Sequence, residues 1–321
     1  MKKNDSTLSP AYILAFIGDL NLSMMQVLNV LYGVILGAAP WQNGFIGGGY
    51  GLSYLLMAAI LGRLGDNMDR KHSLILAISM QLLISLYYIF IASSILLLVL
   101  GQVALGCSYG FFWPSIEAYI SEGSQETPRM HQKAISSFCI SWSLGYTLGP
   151  FLAGYFSDFN VKLGFIILLI SLLISLIILL KFIPLTLEKN RSKLTRESNP
   201  SEMIGEESEQ ESLVRRLLIG MLIYAMLGRI VLNYFADYAS RPLGLGLSGI
   251  IVGLLLFSFG LGRTGYFILS RYIETSLNRL NYAYLITATL LIFLALTEII
   301  AIIFFIIFSF GVFAGLIYKS T

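Results

Sequence analysis

Two ionisable residues lie within long apolar stretches of this chain. Asp19 is about eight residues into the first stretch, and Arg229 is near the middle of a later one. If these stretches cross a membrane, each charge at mid-bilayer costs about 2.5–3.5 kcal/mol on insertion scales, so it requires a partner or water nearby. The carboxyl group could carry a proton, and the guanidinium group could hold an anion or balance the acid. A structural ion pair or a side chain that reaches back to the interface is the alternative interpretation.

Further polar residues follow the same helical spacing. Four of them share one face of the first stretch: Tyr12, Asp19, Ser23 and Gln26. Asn233 and Asp237 follow Arg229 at four-residue steps, which places all three on one face of a helix. Arg263 is about six residues from a predicted helix end, so we expect its side chain to extend to the interface. These patterns indicate a polar path rather than isolated charges.

No set of residues suggests the making or breaking of bonds. The sequence contains no Ser/His/Asp set, no His pair on one helix face and no paired carboxylates in a predicted pocket. Cys107 and Cys139 both fall in apolar segments, which argues against a disulfide framework or a metal cluster. The net charge of +3 arises from cations in loops and does not indicate a nucleic-acid partner. We therefore expect neither an enzyme nor a bound cofactor.

The elements that position these residues are predicted to be membrane-spanning helices. The chain has 321 residues, is 56% hydrophobic and 12% charged, and has a mean hydropathy of +0.78. Apolar runs of about twenty residues recur, each long enough to cross the hydrocarbon core as a helix. They lack the alternation of a membrane barrel, so an all-α polytopic membrane protein is predicted. The predicted helices cover 11–36, 45–61, 73–92, a fourth ending near 119, 134–156, 163–183, 217–238, 247–269, 282–296 and 299–318.

Composition divides the chain into two groups of helices. Residues 1–183 contain six of them, and residues 214–321 contain four. Between them, residues 184–213 are polar and highly charged, with few large apolar residues. Such a segment cannot bury enough apolar surface to fold alone, so we expect a flexible cytoplasmic linker.

The distribution of cations predicts the orientation. Of the 21 lysines and arginines, all but four lie in or beside loops and tails that share one side if the helices alternate. Lys162 and Arg241 lie on the other side, and Arg229 and Arg263 lie within helices. The positive-inside rule therefore predicts a multi-pass protein of the plasma membrane with a cytoplasmic N-terminus.

The loop between the second and third predicted helices carries a recognisable motif. It resembles the loop Gly-x-Leu-x-Asp-x-x-Gly-Arg-Lys of the major facilitator superfamily. Five residues fall in register: Gly62, Leu64, Asp66, Arg70 and Lys71. Asp69 departs from the pattern because it replaces the usual glycine. The resemblance implies a gating motif, in which Arg70 pairs with an acid near the end of the fourth helix, here Glu117, and Asp66 faces the start of an eleventh helix.

The resemblance also implies a fold of two six-helix bundles with a central cavity. Helices one, four, seven and ten surround that cavity in the family, which would place Asp19, Gln26, Arg229 and Asn233 on the substrate path. A weak internal repeat, Gly110-Phe-Phe and Gly311-Val-Phe, agrees with two related halves. The family fold has twelve helices and ten are predicted here, so the second bundle is expected to be an incomplete, four-helix one.

The fifth predicted helix resembles the family's antiporter motif. Its small residues and proline come in the required order: Gly145, Gly149, Pro150 and Gly154. Ser136 and Ala153 replace two of the motif's glycines. Small residues allow helices to approach closely, and Pro150 removes one backbone donor. In the family this motif is typical of exporters that exchange substrate for protons.

Together these features predict a secondary transporter that works by alternating access, a proton-coupled exporter of small, partly apolar molecules. Asp19 would carry the proton, and Arg229 would hold an anionic group or balance Asp19. Its partners would be the substrate, protons and the lipid bilayer, with an oligomeric state that the sequence leaves open. Two alternatives remain: an importer of a small polar metabolite, and a truncated membrane protein that does not transport.

Overall fold

The computed structural model describes residues 3–64, 68–125, 127–184, 222–226, 228–270 and 277–320. Within these ranges every regular element is helical, which confirms the all-α prediction. The first six helices are α1 (Lys3–Ile35), α2 (Pro40–Leu64), α3 (Arg70–Phe90), α4 (Ile95–Glu122), α5 (Pro128–Phe159) and α6 (Val161–Phe182). A π-helical segment (Ile230–Phe235) leads into α7 (Ala236–Ser240), followed by α8 (Gly249–Leu269), α9 (Leu277–Leu296) and α10 (Ile300–Ser320). Asp66 and residues 185–221, with nearly all of the predicted linker, lie outside the described residues.

The helices begin where capping side chains satisfy their first backbone N–H groups. Ser94 caps α4 through Leu97 N, and Thr127 caps α5 through Met130 N. Asn160 likewise caps α6. These polar residues precede apolar runs, and their side-chain oxygens accept bonds that the first helical turn leaves open. Polar end turns are therefore helical, and several helices are longer than the apolar runs that predicted them.

Seven of the described helices are long and apolar enough to cross a membrane, judged by length and composition, whereas ten spans were predicted. Helices α2 and α5 have the length, with 25 and 32 residues. Their glycine, serine and asparagine residues lower their hydropathy. Some of these glycines, such as Gly47 in α2 and Gly149 in α5, lie at close contacts with other elements. The predicted seventh helix is described only from residue 222 onwards and changes its geometry at Ile230.

Helix α1 lies at the centre of the bundle, and α9 lies at its edge. In the most apolar part of α1, 78% of the residues are buried, compared with 11% for α9. Helix α1 packs most extensively against α5, and α5 in turn against α8. The core is therefore continuous from the first half of the chain, α1–α6, to the second half, from the π-helical segment to α10.

Alternating helices give the bundle two faces. On the N-terminal face, Arg70 at the start of α3 meets Glu122 at the end of α4, and Lys71 Nζ donates to Leu180 O at 3.2 Å. The opposite face carries the α1–α2, α3–α4 and α7–α8 connections. There, Lys162 Nζ donates to Ile89 O at 2.6 Å. Helix ends that the predicted alternation assigns to the same face are therefore in contact.

The two glycines of the weak repeat occupy equivalent contacts. Gly110 of α4 lies against Met57 of α2, and Gly311 of α10 lies against Phe259 of α8. Each glycine therefore allows the last helix of a pair to approach the helix two positions before it. The two-bundle fold accounts for this equivalence, while the domain limits at residues 183 and 214 stay predictions.

Candidate functional site

Asp19 is positioned by the central helix α1. Its side chain is only 4% exposed, and that of Gln26, two turns later on the same face, is 3% exposed. Between them, the Ser23 hydroxyl donates to the Asp19 carbonyl oxygen at 2.7 Å. Gln26 Nε2 is buried and has no hydrogen-bond partner among the described residues. The predicted polar stripe of α1 is thus buried inside the bundle and retains hydrogen-bonding capacity.

Arg229, Asn233 and Asp237 form a row along the first segment of the second half. The Arg229 guanidinium lies over the Tyr50 ring, with Cζ 4.5 Å from the centroid. Asn233 lies so close to Gly47 that a Cβ there would be 2.6 Å from its Nδ2 atom.

Asp237 completes this row at the opposite face. It accepts a hydrogen bond from Asn43 Nδ2 at 2.6 Å and forms an ion pair with Arg241, also at 2.6 Å. The three members of the row therefore meet α2 in antiparallel order. Arg241, predicted on the other side from most cations, is held by this ion pair.

A change of helical geometry accompanies this row. Residues 230–235 form a π-helix, in which the backbone bonds from residue i to i+5 widen each turn. With more than four residues per turn, side chains four residues apart still lie on nearly the same face. Such segments often occur at functional sites. The periodicity in the sequence predicted the shared face but not the π-helix.

The prediction that Arg263 extends to the interface is wrong. Its side chain is 2% exposed and lies between aromatic rings of α5, with Cζ 3.7 Å from the Tyr146 centroid and 4.5 Å from that of Trp142. Nε donates to Ser143 Oγ at 3.1 Å, and Nη1 donates to the Tyr224 hydroxyl at 3.0 Å. Cation–π contacts and hydrogen bonds stabilise the charge where it is, so it need not reach water.

A signal for this contact exists in the sequence. Trp142 and Tyr146 are four residues apart on α5 and therefore share a face. Arg263 stands between Gly262 and Gly265 in an otherwise apolar helix. A lone cation in such a helix needs a partner, and the aromatic pair supplies a surface for it. An aromatic pair and a lone cation are each common in sequences, and only the folded structure shows that these two are in contact.

Asp19, Arg229 and Arg263 form one electrostatic cluster. Both arginines stabilise the ionised Asp19 carboxyl group electrostatically, and the effect of Arg263 is larger than that of Arg229. Tyr146 lies within electrostatic range of all three charged groups. Two cations are therefore within electrostatic range of one acid, on helices that include α1, α8 and the turn before the π-helical segment. Such a cluster can exchange a proton and bind an anion, and the described residues contain no group of three metal-ligating side chains.

The N-terminal face departs from the pairing that the family motif implied. Arg70 forms its ion pair with Glu122, at 3.1 Å, rather than with Glu117. Glu117 is five residues earlier, which places it about 7.5 Å deeper along α4. Its exposed side chain interacts electrostatically with Tyr54 and Cys139. Glu117 thus faces the space between the helices, and Glu122 at the helix end takes the predicted role.

Other members of the motif, predicted in the loop, lie in the ends of the flanking helices. Gly62 lies in the last turns of α2, and Lys71 is in the first turn of α3. Asp69, which replaces the family's glycine, caps α3 by accepting from Lys71 N at 2.8 Å. The departure from the family pattern thus has a local role, since an acid at this position satisfies the first turn.

The small residues of α5 contact two different helices. Gly145 and Gly149 face α1, where a Cβ on Gly149 would be 2.7 Å from Leu20 O. Gly154 faces α8, where a Cβ would be 2.8 Å from Gly249 C. Gly253 of α8 is close to Pro150, because a Cβ on Gly253 would be 2.8 Å from the Pro150 carbonyl oxygen. Helix α5 therefore holds α1 on one side and the second half of the chain on the other.

Curated proteins similar to this chain include transporters. An uncharacterized MFS-type transporter of Methanocaldococcus jannaschii is 24% identical over 269 residues, which cover 81% of this chain and 69% of that protein. Multidrug resistance protein 2 of Bacillus subtilis is 24% identical over 160 residues, which cover 49% of this chain and 39% of that protein. The second alignment therefore spans about two fifths of that relative.

Solved structures share the fold at low identity. The human organic anion transporter TETRAN superposes with a TM-score of 0.72 at 15% identity, covering 99% of this chain and 84% of that one. The nucleoside transporter NupG superposes with a TM-score of 0.69 at 14% identity, covering 97% and 80%.

The profile of the Major Facilitator Superfamily matches residues 11–320, which is almost the whole chain. This match, together with the shared fold, identifies a multi-pass membrane transporter rather than an enzyme. The chain therefore belongs to the Major Facilitator Superfamily.

Proposed function

We propose that this transporter couples the movement of a small, partly apolar molecule to that of protons. The observation that carries the proposal is Asp19, a buried acid that interacts with Arg263 and Arg229 where the two halves meet. A carboxyl group in this position changes the charge balance of the cluster when it gains or loses a proton. Residues of both halves would respond to that change, which is what coupling requires.

Contacts between the halves at the opposite face support alternating access. Asn43 of α2 bonds Asp237 of α7, and Asp158 of α5 accepts from Gly249 N at 2.7 Å. These contacts join the two halves at that face, whereas Glu117 of α4 is an exposed acid closer to the N-terminal face. Exchange of these contacts for others at the N-terminal face would expose Asp19 to each side in turn.

Orientation and direction form the finer part of the proposal. The positive-inside distribution favours a cytoplasmic N-terminal face and a location in the plasma membrane. The glycine–proline motif of α5 favours export in exchange for protons. The Gly62, Asp66, Arg70 and Lys71 motif would act as the cytoplasmic gate, with Arg70 and Glu122 as its visible ion pair.

Import is the second candidate, and the charge cluster favours it. Two arginines beside one acid suit an anionic substrate. Because ionised Asp19 competes for the same guanidinium groups, protonation of Asp19 would help that substrate to bind. Proton and anion would then cross together, in the direction of the proton gradient.

Gradient-driven accumulation in proteoliposomes tests the proposal. Radiolabelled benzoate, benzamide and benzylamine serve as probes of one shape and three charges, in vesicles of known protein orientation with a pH gradient of either sign. We expect the wild type to concentrate at least one probe, and Asp19→Asn to lose this response. Glu298→Gln, an exposed acid in the α9–α10 connection, should behave as wild type.

The side on which the probe accumulates distinguishes export from import. Accumulation is counted only beyond that of protein-free vesicles, in which weak acids and amines also redistribute. Such excess on the acidic side indicates exchange, and such excess on the alkaline side indicates movement with the proton. If Asp19→Asn concentrates the probe as well as wild type does, Asp19 is not the coupling residue and the proposal fails.

A further inference from the structure

Arg263 presents a donor group that the protein itself leaves unused. Nε and Nη1 have partners in Ser143 and Tyr224, whereas Nη2 is buried without a hydrogen-bond partner among the described residues. A buried charged donor without an acceptor costs more than a neutral one. A ligand that supplies an acceptor to Arg263 Nη2 during the transport cycle would remove this cost.

Arg229 has the same property. Its guanidinium stacks on Tyr50, and its Nη1 atom is buried without a hydrogen-bond partner among the described residues. Stacking fixes the plane of a guanidinium group while leaving its edge free for in-plane acceptors. Each of the two arginines thus lies over an aromatic ring and has one N–H donor group without a partner among the described residues. Both also interact with Asp19.

The charges of the cluster select the ligand. With Asp19 ionised, the two arginines and the acid sum to one positive charge. The remaining ionisable groups that interact with Asp19, from α2, α4, α5 and the start of the second half, are phenols: Tyr50, Tyr109, Tyr146 and Tyr224. Helix α6 faces α1 with Ser171, which donates to Asn21. With Asp19 protonated the sum rises to two. In either state the site is positive, so it attracts an organic anion, and the rings would contact the apolar part of that anion.

We propose that Arg229 and Arg263 bind the anionic group of a small organic acid, and that ionised Asp19 competes with it for the same guanidinium groups. The inference rests on the proposed proton coupling, agrees with its import form, and names the substrate class. The ionised Asp19 carboxylate and the substrate anion compete for the two arginines. Protonation of Asp19 therefore strengthens binding of the anion, and binding of the anion favours protonation of Asp19. A neutral or cationic substrate would have no such relation to Asp19.

Equilibrium binding without a gradient tests this inference. Calorimetry on the full chain in lipid nanodiscs compares benzoate with benzamide, which has the same shape and no charge, at mildly acidic and mildly alkaline pH. Benzoate is ionised at both. We expect benzoate to bind about tenfold more tightly than benzamide, because hydrogen bonds to charged groups are the stronger ones. Its binding should weaken as the pH rises and Asp19 ionises.

The variants separate binding from folding. Arg229→Gln and Arg263→Gln should each weaken benzoate binding about tenfold, and Arg263→Lys should restore part of it. Lys181→Gln removes a cation that also lies near a ring, Phe182, but at the N-terminal end of the bundle, and should change nothing. Asp19→Asn should strengthen benzoate binding at alkaline pH and remove its pH dependence. A misfolded variant could not produce that gain.

Two results would overturn the inference: benzoate that binds no better than benzamide, including no binding of either, and benzoate binding that Asp19→Asn weakens. The proposed function fails separately. If benzoate binds as expected but no gradient concentrates any probe, the coupling proposal is wrong and the anion site stands. If a gradient concentrates benzamide or benzylamine while benzoate does not bind, the anion site is wrong and the coupling stands.

Discussion

Two of the contacts that join the halves of the molecule differ in character. Along the seam between α5 and α8, backbones meet directly: Gly154 lies against Gly249, and Gly253 lies against Pro150. Between α2 and the segment from Arg229 to Asp237, side chains make the contact. The Tyr50 ring contacts Arg229 at one end of a polar row, and Asn43 bonds Asp237 at the other end. The first contact depends on shape, and the second depends on exchangeable bonds.

This difference suggests which contact moves. Within a membrane, helix association rests on close packing and hydrogen bonds rather than on a hydrophobic driving force. Two backbones in contact along several turns lose that packing everywhere if they separate. A hydrogen bond such as Asn43 to Asp237 can be replaced by one to water. We therefore expect the seam to act as the hinge and the α2–α7 contact to act as the gate.

Gly154→Leu should have the largest effect, because it forces the seam apart. A Cβ at Gly154 would be 2.8 Å from Gly249 C and 3.0 Å from Gly253 Cα, and these backbone atoms cannot move aside cheaply. Overpacking of this kind typically costs about 1–3 kcal/mol, and more where backbone must shift. We expect a clear loss of folded protein in detergent, measured by size-exclusion chromatography and thermal unfolding.

Gly48→Leu is the matched control for this substitution. Gly48 is also a glycine within a helix, but a Cβ there would meet no described atom within 4 Å. It should leave stability unchanged. If Gly154→Leu is as stable as Gly48→Leu, the seam tolerates separation and cannot be the hinge.

Much of the fold could be predicted from the sequence. Apolar runs of about twenty residues have few other structures open to them in lipid. Glycines at four-residue spacing in α4 and α5 lie at close helix contacts, as that spacing indicates, although Gly44 and Gly48 of α2 do not. The opposition of Gly110 to α2 and of Gly311 to α8 agrees with the repeat that the sequence suggested. Hydropathy alone was less informative for α2, whose glycines obscure a helix of 25 residues.

The site was predicted less completely, because it depends on which residues meet across helices. Asp19 and Arg229 were found because a charge in an apolar run is conspicuous. Arg263 was assigned to the interface because distance from a helix end says nothing about the rings of α5 around it. Glu122 was missed because the family motif pointed to Glu117, and only the end of α4 shows which acid is level with Arg70.

Asn43→Ala should have the second-largest effect, on conformation rather than on folding. Its Nδ2 atom donates to Asp237 at 2.6 Å and to Val30 O at 3.0 Å, and the side chain is 2% exposed. Losing a hydrogen bond to a charged group costs about 1.5–3 kcal/mol, which should shift the population toward an open gate about tenfold or more.

Spin labels can measure that shift. Ile35→Cys and Leu243→Cys place labels at exposed positions across the gate, in a background with Cys107→Ala and Cys139→Ala. Asn43→Ala should increase the longer-distance population. Gln42→Ala should not, because Gln42 bonds Ala39 N within its own helix end. Identical distance distributions for both variants would show that Asn43 does not hold the gate.

Asp158→Ala should have the smallest effect, although its hydrogen bonds also join the halves. Asp158 accepts from Gly249 N at 2.7 Å and from Ile250 N at 2.9 Å, and so caps α8 from the other half of the molecule. A carboxylate at a helix N-terminus stabilises the unpaired donors and the positive end of the dipole. Because the side chain is exposed, water can replace it, and we expect a loss of about 0.5–1 kcal/mol in thermal unfolding.

The distance between the halves near α5 and α8 is the decisive measurement for this variant. Backbone contact continues along the seam below the cap, from Gly154 to Gly260, so removing the cap should leave the halves in place. Labels at Tyr155→Cys and Ile250→Cys, both at exposed positions, should give the same distance distribution in Asp158→Ala as in wild type. Asp158→Asn, which retains one acceptor oxygen, should have a stability between those of wild type and Asp158→Ala. If Asp158→Ala instead separates the labels as Asn43→Ala separates those at the gate, then polar groups hold both contacts, and the distinction between hinge and gate is lost.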